Sequence, residues 1–107
     1  MTDYKELLEL AAKAMGYKYM RGALWDGRDV VEYEWHPQDD DGQALRMAVK
    51  LDISIVQDYD NEGIDYAIAE FWLPDRREIE EPHGSDMYAA NRKVIVQAAA
   101  EIGKAMK

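Results

Sequence analysis

Trp35-His36-Pro37-Gln38-Asp39-Asp40-Asp41-Gly42, running on into Gln43-Ala44-Leu45-Arg46-Met47-Ala48-Val49-Lys50-Leu51, is the stretch whose reading decides the fold. Pro37 has no amide to give a sheet ladder, so it stops whatever strand precedes it. Any of Asp39, Asp40 or Asp41 can accept from the unpaired amides of a first helical turn. Ala44, Leu45, Ala48 and Leu51 then recur at helical spacing, with Met47 and Val49 widening the stripe. Arg46 and Lys50, four apart, lie toward the negative end of the helix dipole. A strand therefore meets a central helix here, and the rest of the chain sorts to either side.

Upstream, Val30–Trp35 alternates Val31, Tyr33 and Trp35 against Val30, Glu32 and Glu34, the pattern of a strand with one wet face. Asp26-Gly27 is a two-residue hairpin signal and pairs it with a strand over Tyr17–Ala23. Residues 3–15 predict an amphipathic helix with Tyr4, Leu7, Leu8, Ala11, Ala14 and Met15 on its inner face. Asp3 or Thr2 caps its start, and Gly16 takes the left-handed conformation at its end.

Downstream, Asp52–Gln57 predicts a third strand and Asp58–Gly63 a turn rich in residues that tolerate left-handed geometry. Ile64–Leu73 is a fourth strand with two largely apolar faces, Ile64, Tyr66, Ile68 and Trp72 against Ala67, Ala69 and Phe71. It belongs in the middle of a sheet covered on both sides. Pro74–Ser85, with two prolines and Asp75, Arg76, Arg77, Glu78, Glu80 and Glu81, predicts a surface loop. A last helix starts at Ser85 or Asp86, its inner face built on Tyr88, Asn91, Ile95, Ala98, Ala99, Ile102 and Met106. The order α-β-β-α-β-β-α predicts an α+β fold: one domain over 1–107, a four-stranded, mainly antiparallel sheet and three helices. The double-sided fourth strand points to an α/β/α sandwich.

The composition narrows the chemistry. With 107 residues, the chain is long enough for one core without staples. Without cysteine it forms no disulfide, thiolate metal site or cysteine nucleophile. Its formal net charge is −9, which repels nucleic acid and anionic membranes alike. Asp3, Glu6 and Glu9 stand where a signal peptide carries basic residues, and no apolar run approaches the roughly 20 residues of a membrane span.

Three segments carry a resemblance. Trp35 to Leu51, Ala89-Ala90-Asn91-Arg92-Lys93-Val94-Ile95-Val96-Gln97-Ala98-Ala99-Ala100-Glu101-Ile102-Gly103, and Leu7-Leu8-Glu9-Leu10-Ala11-Ala12-Lys13-Ala14 resemble blocks of small, uncharacterised proteins of tailed bacteriophages and prophages, a phage α/β/α-sandwich domain. They cover 40 of the 107 residues, one segment for each expected helix. The family pattern has asparagine where this chain has His36, and two acids where it has Asp39, Asp40 and Asp41. The resemblance implies a phage origin, a host cytoplasm and an α/β/α sandwich, and it implies no activity.

His36 with Asp39, Asp40 and Asp41 offers metal-ligand types, but a helix N-terminus repels cations and capping already accounts for the acids. Asp58, Asp60, Glu62 and Gly63 mimic half a calcium loop; the closing bidentate acid would fall on Ala69. Ser54 and Ser85 lack a nucleophile setting, and no glycine-rich phosphate loop exists. No catalytic residue, metal or cofactor is therefore assigned. Trp25, beside a hairpin tip, is either an exposed anchor or folded back over the sheet edge, whereas Trp35 and Trp72 are core candidates. The candidate binding surface is Trp25, Trp35, His36, Asp39, Asp40 and Asp41.

Three functions are ranked. First is a phage accessory protein that binds a host or phage protein in the cytoplasm, with self-association open. Second is an acidic mimic of nucleic acid that occupies a host DNA-binding protein, which requires Asp39–Asp41, Asp58–Asp65 and Asp75–Glu81 to form one ridge. Third is a small carboxylate and His36 enzyme, which requires convergent acids in a hollow beside His36.

Overall fold

The computed structural model describes residues 3–106. The elements are α1 (Tyr4–Ala14), β1 (Lys18–Met20), β2 (Ala23–Trp25), β3 (Val30–Glu32), α2 (Asp41–Leu51), β4 (Ser54–Tyr59), β5 (Asp65–Trp72), β6 (Arg76–Pro82) and α3 (Met87–Ala105). The class is α+β with three helices, as expected. The single four-stranded sheet is not found: the strands form two separate antiparallel meanders, β1-β2-β3 and β4-β5-β6.

Two local causes produce the two extra strands. The first hairpin turns at Arg21-Gly22, both with positive φ (54° and 75°), so the expected strand over Tyr17–Ala23 becomes β1, a tight turn and the start of β2. At Asp26-Gly27 the chain forms a wider loop, because the Asp26 carboxylate accepts from the amides of Arg28 and Asp29, each at 2.9 Å. Glu34, at φ 49°, bends the chain after β3, and the Trp35 amide returns to the Gly22 carbonyl at 2.8 Å. The second cause lies in β6, where a loop was expected. Its residues pair with β5 from Trp72↔Arg76 to Tyr66↔Pro82. As an edge strand facing water it needs only one inward apolar residue, Ile79, and admits a terminal proline.

All three helices begin on an aspartate cap. Asp3 accepts from the Glu6 amide, Asp40 from the Gln43 amide, and Asp86 from the amides of Tyr88 and Ala89. Thr2, the other expected cap of α1, lies outside the described residues. α3 is the centre of the core. Its Ala90, Val94, Ala98 and Ala99 are buried, with α1 packed along one side and the inner face of the second sheet (Ala67, Ala69, Phe71) on another. The helix–helix seam is very close: a Cβ built on Gly103 would lie 1.9 Å from the Leu10 carbonyl oxygen. α2 lies beside α3 and buries Ala44, Met47 and Ala48, while the first sheet adds Leu24 and, just beyond it, Trp35 to the same core.

β5 is central in its sheet, as expected, but among the described residues no helix layer covers its outer face, so the expected α/β/α sandwich is not formed. Trp72, an expected core residue, points to that open face and is 66% exposed. Inward Ala67, Ala69 and Phe71 oblige Trp72 to face out by simple alternation. Tyr88 and Met106, expected on the inner face of α3, are also exposed. Among the described residues no helix is long and apolar enough to cross a membrane.

Candidate functional site

α2, β4 and α3 bound an apolar groove of about 480 Å³. One wall is the outer stripe of α2, where Leu45 is 57% exposed; Val49, one turn on and 74% exposed, extends that stripe beyond the groove. Ile55 of β4 and Ile95 of α3 lie deeper, and exposed Met87 and Tyr88 stand at the α3 end. These positions arise because α2 is apolar on more than one side. Ala44, Met47 and Ala48 satisfy the core, which leaves Leu45 and Val49 facing outward.

Polar groups define the rim. Gln57 of β4 and Asn91 of α3 exchange amide hydrogen bonds at 2.6 and 3.0 Å, and the His83 Nε2 lies 2.7 Å from the same Gln57 oxygen. Asn91 also donates to the Met87 carbonyl at 2.7 Å. On the other lip, Arg92 donates through Nε to the Gln38 carbonyl (2.9 Å) and through Nη1 to the Asp41 carboxylate (2.7 Å). An apolar hollow with a few oriented polar groups is the usual form of a binding site.

The six residues singled out from sequence do not form one surface. Trp25 is half-buried, and its indole N–H donates to the Met20 carbonyl at 3.1 Å, so it is folded back over the first sheet. Trp35 is 2% exposed and packs against Tyr19 with ring centroids 5.8 Å apart. His36 is half-buried, with a buried Nδ1 that has no partner among the described residues. Asp39 is exposed, Asp40 is the α2 cap, and Asp41 alone lines the groove. The Trp35–His36 segment fastens α2 to the first sheet through Gln43, the buried polar residue of α2. The Gln43 side-chain oxygen accepts from the His36 amide (2.7 Å), while its nitrogen donates to the Glu32 carboxylate (3.0 Å) and the Glu34 carbonyl (3.1 Å).

Comparison with known proteins finds no matching family model, no matching curated protein and no matching solved structure. The groove therefore has to be read from its own geometry.

The remaining acidic turn has a local role. Asp60 accepts from the amides of Glu62 (2.8 Å) and Ile64 (3.0 Å) and from the Tyr66 hydroxyl (3.2 Å). The Ile64 amide, above all, holds the Asp60 carboxyl below the ordinary carboxylate range, and the bond to Asp60 pushes the Tyr66 hydroxyl up. Among the described residues no three His, Asp or Glu side chains converge as a cation site. The hollow beside His36 is lined by a single carboxylate, Glu34. Leu45, Ile55, Gln57, His83, Met87 and Asn91 were not among the residues singled out from sequence. The available signal was the width of the α2 stripe, too broad for one buried face.

Proposed function

We propose that this chain is a protein-binding module that uses the groove between α2, β4 and α3. The observation that carries the reading is the set of exposed apolar side chains, Leu45 on one lip and Met87 and Tyr88 at the other, around a hollow with Ile55 and Ile95 inside, while exposed Val49 continues the Leu45 stripe beyond the groove. Side chains left in water on two facing elements gain roughly 1.5–3 kcal/mol each when a partner fully covers them. A phage or prophage accessory role in a host cytoplasm is the setting that the resemblance of the three helical segments implies, and it is proposed on that ground.

The acidic-mimic reading needs one carboxylate ridge. Asp65 and Asp75 instead sit at opposite ends of the β5 hairpins, and Arg76 pairs with both Glu70 and Glu78. The enzyme reading needs convergent acids beside His36, where Glu34 stands alone. The groove requires neither condition.

The test is a comparison of wild type with Leu45→Lys/Val49→Lys, both immobilised and exposed to bacterial lysate. Both positions are surface positions, so circular dichroism is expected to be unchanged. A partner retained by wild type and lost by the variant supports the reading. A partner held equally by both removes the groove as the binding site.

A further inference from the structure

We infer that the groove receives an extended segment of a partner protein, added to the second sheet as a fourth strand along β4, with apolar side chains at alternate positions and Lys or Arg between them. This rests on the binding reading above and specifies the occupant.

The backbone supplies the first argument. The Asp60 amide bonds the Ile64 carbonyl, and the His83 amide bonds the Asp65 carbonyl. Alternation in an antiparallel ladder then assigns Ser54, Val56 and Asp58 to the bonds with β5, and turns the N–H and C=O groups of Ile55 and Gln57 outward. Among the described residues those groups have no partner beyond the sheet, and every β4 residue except Ile55 is exposed. An added strand would pair with Ile55 and Gln57, and its residues opposite them would share their face, which is the face that lines the groove.

The two edges of the sheet are treated differently. β6 carries Arg76, Arg77, Glu78, Glu80 and Glu81 and ends on Pro82, the usual guard of an edge against further pairing. β4 carries one charge, Asp58. The helix layer is also wider than its sheet. Two helices side by side span about 20 Å, and three strands at about 4.8 Å cover about 14 Å. A fourth strand makes up the difference on the side of Leu45.

Charge identifies the occupant. β4 and its turn carry Asp58, Asp60 and Glu62 without a base, and the facing lip starts at Asp41. Arg92, beneath that lip, and Asp41 are paired with one another, so the acids of β4 and its turn set the local charge. A second copy would bring another net charge of −9 to the same place. A segment bearing Lys or Arg is attracted where a second copy is repelled.

The experiment selects from a displayed library of random nonapeptides and measures the enriched peptide by fluorescence anisotropy against four proteins: wild type, Gln57→Ala, Gln57→Pro and Leu45→Lys. Both Gln57 variants lose the side-chain bonds to Asn91 and His83, and only the proline also loses the outward amide, at an edge position where proline is tolerated. The expected result is enrichment of apolar residues alternating with Lys or Arg, and binding to Gln57→Pro about tenfold weaker than to Gln57→Ala. Peptides N-methylated at alternate amides repeat the test without altering the protein: methylation in the register facing β4 abolishes binding, and the other register leaves it intact.

No enrichment, enrichment of helical i, i+3, i+4 patterns, or equal binding by the two Gln57 variants and both methylated registers overturns the proposal. If Leu45→Lys still abolishes binding in the last case, the groove reading stands and strand addition falls; if Leu45→Lys binds as wild type, both fall. A free protein that sediments as a dimer, and that Gln57→Pro renders monomeric, makes the occupant a second copy and overturns the proposal as well.

Discussion

Gly103→Ala reverses the usual sign of a helical substitution. At an open helical position, alanine in place of glycine adds about 1 kcal/mol of stability through backbone propensity. Gly103 lies inside α3 and its conformation is helical, so the added methyl is not strained by its own backbone. The obstruction is on the neighbouring helix. The new Cβ would lie 1.9 Å from the Leu10 carbonyl oxygen and 2.8 Å from its carbon, whereas ordinary contact begins near 3.4 Å. Both are backbone atoms and cannot rotate away. α1 must retreat from α3 by about 1.5 Å at that point, and the packing of the two helices, which buries Ala11 and Ala12 of α1 and Ala98 and Ala99 of α3 in one core, loosens with it. Overpacking costs about 1–3 kcal/mol, and because backbone must move here the cost is at the upper end, about 3 kcal/mol, so the net loss after the propensity gain is about 2 kcal/mol. For a domain of this size that is a fall in Tm of roughly 8–16 °C. Urea unfolding of wild type, Gly103→Ala and Ala100→Gly measures it. Ala100→Gly, which adds no atom, is expected to lose only about 1 kcal/mol. A Gly103→Ala protein as stable as wild type, or more stable, would refute the close approach of α1 to α3.

Gln43→Met keeps the size of the side chain, leaves the His36 amide and the Glu34 carbonyl without a partner and takes one of two donors from the Glu32 carboxylate, which keeps Arg46, so a loss of about 2 kcal/mol in urea unfolding is expected. A loss under about 0.5 kcal/mol would show that Gln43 does not fasten α2 to the first sheet. Arg92→Met is expected to lose about 1–2 kcal/mol, because the Arg92 side chain is largely buried and holds the Gln38 carbonyl, whereas Asp41→Ala, at an exposed carboxylate, loses under about 0.5 kcal/mol. Equal effects would mean that the ion pair, rather than the bond to Gln38, is what matters. Asp26 and Asp60 are both held below their usual value near 3.8, Asp26 chiefly by the Asp29 amide and Asp60 chiefly by the Ile64 amide. A carboxyl depressed by folding adds stability that is fully present above its unfolded value and is lost as pH falls through the folded one. Unfolding midpoints measured down from pH 5 are therefore expected to fall less steeply below pH 4 in Asp26→Asn/Asp60→Asn than in wild type, and identical slopes would contradict it.

The parts of the fold that were legible in the sequence are those governed by neighbours in the chain. Asp3 and Asp86 mark their helix starts because a cap needs only a carboxylate and amides two or three residues on. Gly16 ends α1 in the left-handed region for an equally local reason. The strands were read less well where a local signal competed with a stronger-looking one. Asp26-Gly27 carries the better hairpin composition, yet Arg21-Gly22 makes the two-residue turn, and an arginine at φ 54° leaves no trace in composition. β6 was missed because a strand signal is a burial signal. An edge strand with only Ile79 among its inward apolar residues has almost none, and its pairing with β5 is set by backbone bonds that any of its residues except Pro82 can make.

The site was illegible for a related reason. Leu45 and Val49 stood in the apolar stripe of α2 from the outset, but a stripe states only how much surface needs cover, not which part receives it. Ala44, Met47 and Ala48 fill the space that α3 and the first sheet leave, and the wider side chains remain outside. The aromatic and acidic residues that drew attention instead, Trp35, Asp40 and Asp41, are accounted for within the fold by a tilted ring pair, a helix cap and an ion pair. Unusual composition marked where the chain holds itself together. The groove lies where ordinary apolar residues and an unguarded strand edge are left over once that is done, and such a remainder becomes visible only after every other residue has been given its partner.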